Sequence, residues 1–135
     1  MWNVAVRYGV TLVVFFGADA AWLSYIGPAL FRPTLGPILR DSVNWPAALL
    51  FYLLYAVGLV YFSVGPALDG QSWKLALVNG VLFGFFAYAT YDLTNLATLG
   101  AWTYRLAAVD IVWGSLLSAG SGVAGYFLSR AFGAH

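Results

Sequence analysis

The stretch WKLALVNGVLFGFFAYATYDLTNLATL, residues 73–99, holds only two charged side chains, Lys74 near its start and Asp92 toward its end. A helix that crosses a bilayer needs about 20 mostly apolar residues. This stretch supplies them with no proline to interrupt the hydrogen-bond ladder. Three further stretches read the same way: Val4–Ile26, Trp45–Val64 and Arg105–Phe132. The expectation is an all-α fold, a polytopic membrane protein built as a four-transmembrane-helix bundle. It is a single transmembrane domain over residues 1–135, with helices near 4–26, 45–64, 73–99 and 105–132.

Composition agrees. Of the 135 residues 62% are hydrophobic, 19% aromatic and 8% charged, and the mean hydropathy is +0.83. A soluble domain carries about a quarter of its residues as charge, and a disordered chain needs low hydrophobicity with high charge, so both classes are excluded. A formal charge of +1 is too small for nucleic-acid binding. The chain has no cysteine, and its one histidine is His135. A disulfide framework, a thiolate metal site, a cysteine nucleophile and a multi-histidine centre within one chain are therefore excluded.

Glycine and proline mark the expected connections: Gly27, Pro28, Pro33, Gly36 and Pro37 after the first span, Gly65, Pro66 and Gly70 with Asp69 after the second, Gly100 after the third. In the longest connection, Leu30, Phe31, Leu35, Ile38 and Leu39 fit either a short interfacial helix or an irregular loop. Ala18-Asp19-Ala20 resembles a small-x-small cleavage site, but the apolar run continues past it, so these residues are read as the first span. Trp2, Trp45, Trp73 and Trp102 stand at helix starts, where indole rings favour the headgroup region.

Four spans place both termini on one side. Arg7, Lys74 and Arg130 fall on that side and Arg32, Arg40 and Arg105 on the other, a tie by the positive-inside rule. Arg7 beside the first span favours cytoplasmic termini. Gly80-x-x-x-Gly84 and Gly114-x-x-x-Ser118-x-x-x-Gly122 present small residues that let helices approach closely.

Asp19, Asp92 and Asp110 stand inside the spans. An ionised aspartate at the bilayer centre costs about 2.5–3.5 kcal/mol on insertion scales, so each needs a compensating reason. At a rise of about 1.5 Å per residue, Asp19 and Asp92 lie about 10 Å from the far ends of their helices, and Asp110 about 7 Å beyond Arg105. All three fall in the same third of the membrane. Their contexts repeat: Asp19-Ala-Ala-Trp22-Leu-Ser24 and Asp110-Ile-Val-Trp113-Gly-Ser115 share Asp-x-x-Trp-x-Ser, and Asp92 is followed at the same spacing by Asn95. A separation of three puts each pair on one helical face. Asp19, Trp22, Tyr91, Asp92, Asn95, Asp110 and Trp113 are thus the candidate ligand- or ion-binding residues.

Structural alternatives stand beside this one. Asp110 in the first turns of its helix complements the helix dipole. Arg105 is placed to pair with Asp92 or Asp110, and protonated Asp19 and Asp92 would serve as bonds between helices. Tyr52, Tyr55, Tyr61, Phe83, Phe85, Phe86 and Tyr88 form an aromatic middle suited to packing, lipid contact or a flat isoprenoid-like ligand.

The string Ala89-Thr90-Tyr91-Asp92-Leu93-Thr94-Asn95-Leu96-Ala97-Thr98, with Trp102, Asp110-Ile-Val-Trp113-Gly114 and Asp19-Ala-Ala-Trp22-Leu23, resembles the bacterial family DUF2177 over nearly the whole chain. The resemblance implies a small four-helix protein of the inner (cytoplasmic) membrane and carries no reaction, substrate, cofactor or partner. Three functions remain open. One is handling of an ion, proton or amphipathic ligand at the acidic cluster, in a homo-oligomer. Another is an accessory subunit packed in a larger membrane or pigment complex. The third is a lipid-modifying enzyme.

Overall fold

The computed structural model describes residues 1–135. The chain forms α1 (Trp2–Ile26), a short α2 (Arg32–Leu35), α3 (Trp45–Leu59), a short α4 (Gly65–Asp69), α5 (Trp73–Thr98) and α6 (Tyr104–Ala131). Four helical stretches, Trp2–Ile38, Trp45–Asp69, Trp73–Thr98 and Tyr104–Ala131, are long and apolar enough to cross a membrane.

Two expected breaks do not occur. Gly27 and Pro28 do not end the first span, which continues through a π-helical turn, Gly27–Phe31, into α2 and a 3₁₀ turn at Gly36–Ile38. Gly65 and Pro66 likewise follow a second π-helical turn, Val60–Val64, and open α4. Proline lacks an N–H and clashes with the carbonyl four residues back. A widened turn at Pro28, and just before Pro66, accommodates the ring, and without water the backbone groups must still find partners inside the helix. The real stop comes at Gly70, followed by Gln71 at a positive φ of 50°. Asn44 caps α3 by accepting from the Ala47 N–H at 3.3 Å, and Thr103 caps α6 by accepting from the Leu106 N–H at 3.1 Å.

Helices α5 and α6 form the main pair, and their small faces meet within the chain. Gly80 lies against the backbone of Ser118 and Ala119, and Gly84 lies against the Gly114 carbonyl and the Ser118 side chain. Gly114 in turn leaves room for the Tyr88 ring. Helix α1 packs on the other side of α6, where Gly125 accommodates the Thr11 hydroxyl. Gly122 makes room for Ser63, whose hydroxyl crosses to donate to the Ala76 carbonyl at 2.9 Å.

The termini meet at one end of the bundle, where Arg7 and Asn3 donate to the His135 carbonyl at 2.7 and 3.2 Å. At the other end, Leu30 and Leu35 are buried with Trp102, Leu106 and Ala107. The first connection is therefore largely helical and closes over the loop end of α5 and α6, leaving Ile38, Leu39 and Val43 exposed as surface apolar groups. Trp102 departs from the other helix-start tryptophans. Trp2, Trp45 and Trp73 are exposed as headgroup anchors require, whereas Trp102 is buried in this cluster because the first connection covers it.

Candidate functional site

Helix α3 packs on α1 through Tyr52 and Tyr55 against Phe15, while its continuation, Val60–Val64, carries the close approach to α5. Near Tyr55 the space between α3 and α5 is bridged by rings rather than backbone: Tyr55 lies 4.9 Å from Phe83 and 6.0 Å from Tyr88, centroid to centroid. Beyond Tyr55, toward the connection Gly27–Ile38, the gap opens into a cavity of about 540 Å³.

Four helices and one turn wall it. Asp19 and Leu23 come from one face of α1, Phe51 and Tyr55 from successive turns of α3, Ala87, Tyr88 and Tyr91 from α5, Asp110 from α6, and Phe31 from the π-helical turn. Each pair three or four residues apart shares a helical face. Phe51 and Tyr91 are both about half exposed and mark the mouth between α3 and α5. Each sits about 10 Å from the loop end of its helix, by the rise of about 1.5 Å per residue, so the mouth opens at the level of lipid rather than water.

Asp19 is 5% exposed and fully engaged. The Tyr52 hydroxyl donates to its Oδ2 at 2.6 Å, and the Trp113 indole N–H donates to its Oδ1 at 3.1 Å. One carboxylate thereby ties α1 to both α3 and α6. The repeated Asp-x-x-Trp-x-Ser segments lie face to face: Trp22 stacks on Trp113 with centroids 4.4 Å apart and planes 9° apart. Their serines do the same work, Ser24 donating to the Ala20 carbonyl and Ser115 to the Ile111 carbonyl, both at 2.8 Å. Removing the Tyr52 hydroxyl in Tyr52→Phe is expected to cost about 1 kcal/mol, the scale of side-chain bonds between membrane helices. A lower unfolding temperature in mild detergent reads this out, and an unchanged one would remove the bond from the account of how α3 is held.

Asp110 is 7% exposed, lines the cavity and accepts no hydrogen bond from an N–H or a neutral hydroxyl. Its carboxyl lies within hydrogen-bonding reach of Asp92. Asp92 is fully buried, and neither of its oxygens has an N–H or hydroxyl donor. The Trp102 indole also faces Asp92, but its N–H closes no hydrogen bond. The Trp102 ring meets Tyr91 edge-on at 5.4 Å. The anticipated ion pair of Arg105 with Asp92 or Asp110 is not formed. Arg105 is exposed, because an arginine in the first turn of α6 reaches the water at the membrane boundary more cheaply than it is buried.

The acidic residues found from the sequence are thus gathered, but unequally. Asp19, Tyr91 and Asp110 line the cavity, while Asp92 sits behind Asp110. Trp22 and Trp113 lie on the far side of Asp19 and line a shallow apolar groove with Val109 and Val112. Asn95 is half-buried and contributes nothing to the cavity wall. The sequence reading missed Phe51 and Trp102 as neighbours of the site and did not separate inward from outward tyrosines. Tyr52 and Tyr55 share a face of α3 with Leu59 and are buried, whereas Tyr61 is exposed. The usable signal was the i, i+3, i+7 spacing of those three residues.

The profile of the predicted membrane proteins DUF2177 matches residues 4–127. This chain belongs to that family. No curated protein and no solved structure matches it. The DUF2177 match runs from the first turns of α1 into the last turns of α6, and so takes in every residue of the cavity wall and the carboxyl pair behind it.

Proposed function

We propose that this integral membrane protein binds an amphipathic small molecule drawn from the surrounding lipid. Its head group rests on Asp110 beside Asp19, and its apolar body lies among Phe31, Phe51, Tyr55, Tyr88 and Tyr91. The observation that carries this reading is Asp110: a carboxylate more than nine-tenths buried, facing a cavity whose other walls are mostly aromatic and apolar. Structural aspartates in membranes are paired or bonded, and intramembrane ionisable groups otherwise mark ligand or ion paths. Binding sites in general are concave and apolar with a few placed polar groups, and this cavity has that make-up.

The other candidates take supporting roles. Asp92 sets the position of Asp110, Trp113 holds Asp19, and Trp22 braces Trp113. The lateral mouth between Phe51 and Tyr91 gives a lipid-dissolved molecule a path that never leaves the membrane.

Native mass spectrometry of the protein extracted gently from its own membrane tests this. The expected result is a reproducible small-molecule mass on the wild type that is depleted in Asp110→Asn. Bare protein with stoichiometric foreign subunits would overturn the reading in favour of an accessory subunit.

A further inference from the structure

Charge balance narrows the ligand class. Asp19, Asp92 and Asp110 lie together, and no Lys, Arg or His lines the cavity. Arg32, Arg40 and Arg105 are all exposed, and none compensates Asp92 or Asp110. The titratable groups facing the Asp92–Asp110 pair are Asp19 from α1 and Tyr88 and Tyr91 from α5, with Tyr52 and Tyr55 of α3 beside Asp19, and none of them supplies positive charge. Asp19 accepts two hydrogen bonds from neutral donors, one on each oxygen. Asp92 and Asp110 have no such donors, and the two carboxyls face each other with the cavity on the other side of Asp110.

Two ionised carboxylates do not persist across a hydrogen-bond distance in a dry interior without a cation beside them; with none, such a pair holds one proton between them. Even so, the site retains negative charge with no protein counter-charge. It does not have the form of a metal cage, since no three acidic or imidazole groups converge closely enough to hold an ion. The remaining walls are rings, whose faces attract positive charge.

We propose that the cavity takes a monovalent organic cation with an aromatic or similarly flat apolar body, and that this cation competes with the proton held between Asp92 and Asp110. This rests on the binding role proposed above and adds the charge of the ligand and its coupling to protons. The cation sits on the cavity side of Asp110 and the proton on the side facing Asp92, so each disfavours the other. In the exchange the O–H bond of the protonated carboxyl breaks and its proton leaves to water. The cation takes its place as counter-charge, and no other bond changes. Binding that releases a proton must tighten as the pH rises, and by reciprocity a bound cation must lower proton affinity to the same degree.

The test uses tetraphenylphosphonium, a permanent cation that does not itself titrate, with the purified full chain in detergent. Its dissociation constant is measured over a pH series, with tetraphenylborate as an anion of matching shape. The expected result is binding of the cation only, with affinity rising toward a tenfold gain per pH unit and a matching release of protons into weakly buffered solution. In Asp92→Asn the amide donates to Asp110 in place of the shared proton, and the slope of affinity against pH flattens, whatever the change in affinity itself. Equal binding of the two probes, or cation binding that ignores pH in the wild type, overturns this proposal and leaves the ligand site standing for a neutral molecule. Failure to bind either probe, with no small molecule retained on native extraction, overturns the site itself.

Discussion

Asp110→Asn is expected to weaken tetraphenylphosphonium binding by about 10- to 100-fold while leaving the protein at least as stable as the wild type. Opposite unit charges about 5 Å apart attract by about 3 kcal/mol at an effective dielectric of about 20, part of which desolvation offsets, and about 1.4 kcal/mol is a factor of ten. Stability moves the other way for a local reason. The asparagine amide offers an N–H to Asp92, a buried carboxyl that otherwise has no N–H or hydroxyl donor. It also removes one of two facing acids. Side chains kept for function are often those whose removal stabilises. The measurement is a binding isotherm beside a thermal unfolding curve in the same detergent. Parallel loss of affinity and unfolding temperature would make Asp110 a structural residue and remove it as the ligand's anchor.

Gly84→Val has the largest expected effect on stability, a loss of about 3 kcal/mol, at the upper end of what overpacking costs. A Cβ at Gly84 would run into the Gly114 carbonyl oxygen and the Ser118 side chain. Backbone in the middle of α6 cannot swing aside as a flexible side chain would. The helices must part, and Asp92 and Asp110, brought together by this contact, separate with them. Gly120 is the internal control: nothing lies within 4 Å of a Cβ there, so Gly120→Ala should unfold as the wild type does. Comparable unfolding temperatures for Gly84→Val and Gly120→Ala would mean that the α5–α6 contact does not hold the bundle together.

Much of this was legible in one dimension because the membrane simplifies the problem. In hydrocarbon every backbone polar group must be satisfied within its own segment, so a long apolar run has to be a helix. The four spans and the depth of the three aspartates follow from counting residues. The glycine faces on α5 and α6 were legible for the same reason, since close approach is how helices associate in lipid. Proline punctuation was less informative than in a soluble chain. Pro28 lies within one widened turn and Pro66 follows another, and the helices run on, because water is not there to take up the freed carbonyls.

The sequence by itself determined that this is a four-helix membrane protein with acidic residues set at one depth, because apolar length and axial rise need no knowledge of neighbours. It could not rank those acids. Asp19 and Asp110 sit in matching Asp-x-x-Trp-x-Ser segments, yet one is clamped by Tyr52 and Trp113 while the other faces an open cavity. Nor could it place Trp102, which stands where an anchor would stand and is buried by a connection more than sixty residues earlier in the chain. These are questions of rotation about a helix axis and of which helix stands next to which. Only tertiary structure decides them, because lipid is as apolar as most of the side chains and leaves shape and a few polar bonds to choose which faces turn inward.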